Sequence, residues 1–424
     1  MKPDSVINEG EDIMTGDVIG DTVYSERFVL KLLLKFANLD TLKDEIQQKA
    51  FEDDLCTLWD MTAERDVVLF LLKHDVLNLL HYSLPIFESP RIIEILVGII
   101  GNMSCQKEAA EELFKMESFL TLLLEYTKLE DSLIIIQVLR LVNTTIFLTK
   151  DKEIGKWIEI FIKIGYSNAL FFILKNSSNK DLIITGLENF NTICSYCNME
   201  EHRTKFFGHF VTIEAMESLT TAFTEITVKQ ADNCEREELE RVLIISLQIT
   251  LNLVGFDKSY DIYCDNKLDA LKIIAQVFTY YENKFVDQKE IDMDLVDVID
   301  SSITIIKVLG LSEMCGLKKF FRQSYSMWRT LSSITESDKN GSSSFEMDDR
   351  EELQAFANQM KISLSNLIFT YLEKCSNENF FKALDEIGMD FDDMSGLVKD
   401  ELLLKPVCDR ASNYKTRLKE TENC

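Results

Sequence analysis

The stretch Ile95-Leu-Val-Gly-Ile-Ile-Gly-Asn-Met-Ser-Cys105, ILVGIIGNMSC, is almost wholly apolar, carries two glycines three residues apart and closes on an asparagine amid apolar neighbours. A membrane span needs about 20 predominantly apolar residues, and Glu94 on one side with Gln106-Lys107-Glu108 on the other leave far fewer. A phosphate loop needs a preceding strand and a following Gly-Lys-Ser/Thr, and the stretch has neither. It reads instead as a buried helix whose glycines admit close neighbours, at a helix cost of about 1 kcal/mol each.

Sliding the sequence against itself makes that helix part of a series. At an offset of 42, Leu58-Trp-Asp-Met-Thr62 falls on Ile100-Gly-Asn-Met-Ser104, Leu71-Leu72 on Leu113-Phe114, and Asp75 on Glu117. Each copy reads as a buried helix, a short polar turn and an amphipathic helix, and Pro85 and Pro90 close the first copy. A period of 42 lies within the about 40–47 residues of HEAT and armadillo repeats. Looser copies follow at Ile134 to Phe147, Leu182 to Ile193, Leu243 to Val254 and Val296 to Leu311, spaced so unevenly that insertions must separate them. With four prolines in 424 residues and no long alternating runs, the expected fold is all-α, an armadillo/HEAT-like helical solenoid.

Residues 1–22 are polar and acidic and read as flexible; 23–335 form the repeat array; 336–350 are a Ser- and Asp-rich loop, a linker by composition and a candidate for phosphorylation. Residues 351–424 read as helices continuing or capping the array, with a flexible tail; Leu353, Phe356, Met360, Leu364, Leu367 and Tyr371 recur at helical spacing.

Lys plus Arg number 45 against 72 Asp plus Glu, a net charge of −27. Such a field repels nucleic-acid phosphates and anionic lipid head groups, so neither direct nucleic-acid contact nor membrane contact is expected; it serves solubility or attracts basic partners. Ten cysteines are scattered through apolar helical pattern, as reduced cysteines used as small hydrophobes are. The first residues lack the apolar core of a secretory signal, so no export is expected.

Particular residues then look familiar. Gly16-Asp-Val-Ile-Gly-Asp-Thr-Val-Tyr-Ser25, Trp59-Asp-Met61, Asp66-Val-Val-Leu-Phe-Leu71 and Pro90-Arg-Ile-Ile-Glu-Ile-Leu-Val-Gly-Ile-Ile-Gly-Asn-Met-Ser-Cys105 resemble, in this order, the N-terminal region of the serum amyloid A-like protein family, also called synoviocyte proliferation-associated protein. The match covers residues 16–105; beyond about 110 only helical pattern and length agree. The resemblance implies an armadillo-like protein of the nucleus, with the cytoplasm as a second compartment, linked to cell proliferation and without enzymatic activity.

Candidate chemistry is sparse. Cys194-Ser-Tyr-Cys197 with His202 is an incomplete metal or redox set, since zinc wants four ligands, and two small buried residues are the simpler reading. His74, His81, His202 and His209 form no HExxH, and neither a serine elbow nor a Walker loop is present. Lys318-Lys-Phe-Phe-Arg322 is a short basic-aromatic run, most simply a solvated helix face. Asn102, Asn143, Asn191 and Asn252 recur on successive apolar helices. A carboxamide offers donor and acceptor together, so they read either as a ladder for the backbone of an extended peptide or as internal ties of helix ends. The tryptophans that nuclear-import receptors place four residues earlier are replaced here by Gly98, Leu139, Leu187 and Gln248.

The sequence therefore points to a non-enzymatic scaffold that needs no cofactor and binds other proteins, with Trp59, Asp60, Asn102 and Asn143 as the candidate contact residues and basic or extended segments as the favoured partners. Two alternatives stand beside it: a metal or redox protein built on Cys194 and Cys197, and an adaptor of RNA regulation acting through a protein partner.

Overall fold

The computed structural model describes residues 17–38, 42–43, 45, 48–288, 290, 292–311, 317–339 and 347–422, among which there is no strand. The chain divides into two compact units, Met1–Leu170 and Phe171–Cys424.

In the first unit α1 (Glu26–Ala37) and α2 (Lys49–Met61) precede two three-helix repeats: α3 (Arg65–Lys73), α4 (Val76–Ser83) and α5 (Pro90–Met103), then α6 (Lys107–Lys115), α7 (Glu117–Glu125) and α8 (Ser132–Leu148). α9 (Ile154–Ile164) follows, and the division falls within α10 (Tyr166–Asn176). Two short helices and a long one make each repeat, the plan of armadillo-like folds. The amphipathic stretch expected as one helix is therefore two. It breaks at Asp75, whose φ of 56° is left-handed, and the helices on either side meet at 73°. Aspartate tolerates that conformation better than most residues, and its carboxylate accepts from Asn78 Nδ2 at 2.7 Å.

The third helices α2, α5 and α8 pack side by side. α5 opens with Pro90, which lacks the N–H that a first turn cannot use, and every residue from Ile92 to Ile100 is buried. Each large aliphatic side chain there contributes about 1.5–3 kcal/mol of gross hydrophobic stabilisation. The buried Glu94 is matched by Arg91 at 2.7 Å. The 42-residue offset holds in the burial pattern: Leu55, Leu58 and Met61 are replaced in turn by Val97, Ile100 and Met103, then by Leu139, Val142 and Thr145, all buried.

Part of the segment expected to be flexible is folded. Ile19 is 2% exposed; Asp17 accepts from the Ser25 hydroxyl at 2.8 Å and the Arg27 backbone N–H at 2.9 Å. Gly20, at φ +52°, lies so close to Asp66 that a Cβ would stand 2.2 Å from its Oδ2, and the Asp21 N–H donates to that oxygen at 3.1 Å. These contacts, made 45 residues away in sequence, bind a stretch whose composition looks solvated. Residues 1–16 lie outside the described residues.

In the second unit the long third helices are α11 (Lys180–Cys197), α14 (Arg236–Val254), α17 (Asp294–Val308) and α19 (Met347–Lys374), again adjacent in that order. Between them run α12 (Arg203–Phe210), α13 (Ile213–Thr224), α15 (Ser259–Tyr263), α16 (Lys267–Val286) and α18 (Leu317–Lys339); α20 (Asn377–Ile387), α21 (Asp390–Leu397) and α22 (Glu401–Glu422) follow. The helices flanking the expected 336–350 loop reach Lys339 and resume at Met347. The remainder of that loop, with its candidate phosphorylation serines, lies outside the described residues.

Added length in the second unit is held by charge. Lys284 near the end of α16 is 5% exposed and meets Glu240 of α14 at 2.9 Å, Glu290 at 3.5 Å, and Asp292. Arg236 bridges Glu240 at 3.0 Å and Glu290 at 2.5 Å. Burial works against the Lys284 charge, but hydrogen bonds to Asp292 and Glu240 outweigh it and hold the ammonium's pKa above its ordinary value. Burial likewise opposes the Glu240 charge, and the bonds from Lys284, Tyr280 and Arg236 bring its pKa below the usual range. Among the described residues no single helix is long and apolar enough to cross a membrane.

Candidate functional site

The third helices present side chains along their seams, and the two units do so differently. In the first, Trp59 of α2 is half-buried and its indole lies against Gly98 of α5, where a Cβ would stand 2.2 Å from Cζ2 and 2.3 Å from Cε2. Only glycine admits the ring. Gly101, the second glycine of ILVGIIGNMSC, has open space where a Cβ would go, so close approach explains one of the two. Asn102 Nδ2 donates to the Trp59 carbonyl oxygen at 3.2 Å, across 43 residues. The Asn102 side chain therefore ties α5 to the end of α2.

The structure thus brings Trp59 and Asn102 together and leaves Asp60 exposed beside them. Asn143 is half-buried on α8, in the register of Trp59 and Gly101. The position on α8 that answers to Asp60 and Asn102 is Thr144. A one-residue difference turns a helical side chain by about 100°, so Asn102 and Asn143 do not stand in one row. α8 also displays Leu133 at 50% and Phe147 at 65% exposure.

In the second unit the burial patterns of α14, α17 and α19 superimpose at offsets of 56 and 58 residues, and Asn191 of α11 meets Gln248 of α14 at an offset of 57. At these offsets Asn191 of α11, Gln248 of α14 and Thr304 of α17 occupy one row; Asn252 falls in the row of Ser195, and Asp300 and Ser301 answer to Asn358 and Gln359 of α19. Asn191 Nδ2 donates to Gln248 Oε1 at 3.2 Å. Two carboxamides can exchange two hydrogen bonds, and this pair makes one. Asn191 Oδ1 is buried without a hydrogen-bond partner, and the Gln248 amide nitrogen donates to no described residue. Beside the row Arg241 meets Glu188 at 3.2 Å, and Lys180 meets Glu238 at 2.8 Å. Hydrogen bonding to Glu238, set against a smaller cost of burial, raises the Lys180 pKa.

Gln248, Thr304, Asn358 and Gln359 are absent from the sequence-derived list of contact residues. Their signal exists only once each helix has its own offset, because a fixed period of 42 passes over them.

The cysteine pair is placed against its chemistry. Cys194 and Cys197 are both fully buried, and burial raises both thiols, Cys197 to about 12 and Cys194 well above the usual value. Redox and zinc-binding cysteines work as thiolates and sit where their pKa falls. His202 is half-buried at the start of α12, and among the described residues no three His, Cys, Asp or Glu side chains group as a metal site would require. In Lys318-Lys-Phe-Phe-Arg322 both phenylalanines are buried, Lys319 donates to Thr279 at 3.1 Å, and Arg322 lies 3.9 Å from Glu386. The run faces the core as much as the solvent.

No family model matches the chain. It is similar to Protein SAAL1 of Mus musculus, 30% identical over 187 residues, which are 41% of this chain and 39% of the mouse protein. To Protein SAAL1 of Homo sapiens it is 30% identical over 181 residues, 40% and 38% of the two chains. The match thus spans about two fifths of these relatives, and SAAL1 carries the serum amyloid A-like name to which residues 16–105 point. Among solved structures SYS-1 aligns with a TM-score of 0.52 at 12% identity, over 90% of this chain and 63% of its own. A complex of SYS-1 with POP-1 aligns with 0.52 at 14% identity, over 91% and 63%. Likeness at such identity shows the fold: all-α, armadillo-like repeats.

Proposed function

We propose that the chain is a non-enzymatic scaffold whose third-helix faces bind other proteins, the partner arriving as an extended segment with basic side chains. The observation that carries this reading is the half-bonded Asn191–Gln248 pair. On its exposed side it retains the Gln248 amide N–H groups, which donate to no described residue, while Asn191 Oδ1 is buried. A backbone carbonyl of an extended segment supplies the acceptor those donors lack. Thr304 extends their row onto α17, and Asn358 and Gln359 of α19 lie in the row of Asp300 and Ser301, one turn away. The net charge of −27 favours basic side chains on such a segment and speeds its encounter. SYS-1, which shares the fold, is solved in complex with POP-1, in agreement with a protein partner. Residence in the nucleus and the link to proliferation belong to this reading through the resemblance alone.

Proximity labelling in cells supplies candidate partners, and calorimetry with the purified full chain tests them. One net hydrogen bond of about 1 kcal/mol corresponds to roughly fivefold in affinity. Replacing Asn191 and Gln248 by alanine is expected to weaken the partner by that factor at unchanged unfolding midpoint. A direct partner bound equally well by the variant would remove this surface from the reading. Imaging of the tagged chain in cells tests the compartment.

A further inference from the structure

We propose that Trp59 and Asp60, at the end of α2, form a subsite for one basic side chain of a partner, a lysine ammonium or arginine guanidinium. The inference rests on the scaffold reading above but concerns the other unit. Three observations converge on it.

The tryptophan is held and still reachable. Gly98 leaves just enough room for the indole, and Asn102 ties the carbonyl of the same residue. Trp157 and Trp328 are 0% and 4% exposed, whereas Trp59 is half-buried, and its indole N–H donates to no described residue. A large aromatic fixed in place at a repeat seam offers contact area without an ordering cost, as the dominant residues of protein interfaces do.

The charge beside it is unspent. Asp60 is exposed and pairs with no described residue, and the same holds for Asp53, seven residues earlier on the same exposed stripe, about 10 Å away along the helix. The other carboxylates of α2 are taken: Asp54 lies 3.5 Å from Lys35, and Glu52 lies 3.7 Å from Arg91. Trp59 and Asp60 leave the helix about 100° apart, so a long basic side chain lying across α2 meets the ring and the carboxylate in turn and gains from the ring quadrupole and from the charge. Arg91 shows the same seam receiving a guanidinium from within the chain, between Glu52 and Glu94.

The test uses the full chain and a hexa-arginine peptide, with hexa-glutamine as the neutral probe. Trp59 is the one tryptophan within reach of solvent, so hexa-arginine is expected to change the emission saturably and hexa-glutamine to leave it unchanged. By calorimetry Trp59→Leu and Asp60→Asn should each weaken hexa-arginine about fivefold, the size of one exposed cation–π or ionic contact. Asp300→Asn removes an equal charge from the second unit and should leave the affinity as it was. Asp60 is exposed, so Asp60→Asn keeps the fold even if Trp59→Leu does not. The proposal is overturned if Asp60→Asn has no effect, if Asp300→Asn weakens the peptide as much, or if the emission stays constant at saturation. Any of these results leaves the Asn191–Gln248 surface standing, since that surface is read by its own variant.

Discussion

The seam between α2 and α5 in the first unit and the seam between α11 and α14 in the second join equivalent helices with a different balance of contacts. At the first, a ring lies against a glycine, one carboxamide reaches a backbone carbonyl and a single ion pair, Arg91 with Glu52 at 3.7 Å, crosses the edge; α5 shows no exposed side chain from Ile92 to Ile100. At the second, side chain meets side chain three times: Lys180 with Glu238, Glu188 with Arg241, and Asn191 with Gln248. A missing Cβ lets two helices approach until apolar surface seals the joint, whereas long polar side chains bridge the other joint along its edge. A sealed seam makes a rigid platform for one protruding group such as Trp59. A bridged seam keeps unused donors such as the Gln248 amide at the surface. The repeat lengths agree: 42 residues in the first unit, 56 to 58 in the second, with the excess carried by connections such as the one gathered around Lys284.

That contrast breaks first if charge does not hold the second unit's added length. Replacing Lys284 by methionine leaves Glu240, Glu290 and Asp292 facing one another, and should cost about 3 kcal/mol in urea unfolding. A cost below about 1 kcal/mol would deny the cluster its role. The pH dependence gives a second reading. The Lys284 pKa is raised above its ordinary 10.5, so its contribution is complete below that value and is lost as pH climbs through the higher folded value. Glu240 and Glu290 are depressed below 4.5, so their contributions are present above that value and are lost as pH falls. Stability attributable to the cluster should therefore hold between about pH 5 and pH 10, and the acid limb of the profile should be shallower in Lys284→Met than in the parent chain.

The sealed seam is broken by Gly98→Ala. The added methyl group cannot coexist with Trp59 where the indole now lies, so overpacking should cost about 1–3 kcal/mol and shift the emission of Trp59 to the red. Unchanged stability with unchanged emission would mean that the seam opens freely. Asn102→Ala probes the same joint more gently, with a loss of about 1 kcal/mol expected in chemical unfolding. The smallest effect belongs to the bridged seam. The partners Glu188 and Arg241 are about 30% and 52% exposed, so Arg241→Met should change stability by less than about 0.5 kcal/mol, well under the change from Asn102→Ala. A larger loss would make the polar bridges structural and narrow the contrast between the units.

Much of this was legible in the chain itself. The helices at 132–148, 180–197 and 236–254 enclose the apolar runs that mark three of the looser copies, and the helix at 294–308 covers the fourth up to Val308, because three- and four-residue spacing is a local property. The break at Asp75 was hidden, since a residue that tolerates left-handed geometry also fits a helix start. Trp59 and Asn102 could be singled out as residues, but not as each other's neighbours. Gln248 escaped because its partner lies 57 residues away, an interval set by loops of unequal length. Asp17 to Ser25 look solvated by composition, and the buried Ile19 and the turn beside Asp66 became visible only in three dimensions.

By itself, then, the sequence determined that this is an all-α chain of armadillo-like repeats with an acidic surface, since periodicity, helix formers and charge act within one turn or over the whole molecule at once. Only the tertiary structure decided that Gly98 rather than Gly101 makes room for a neighbour, that Asn102 ties one helix to the next, and that Asn191 keeps an unused acceptor beside Gln248. Each of those outcomes depends on which faces meet across about 40 to 60 residues of chain, and a rotation of one residue, about 100° on a helix, is enough to change it.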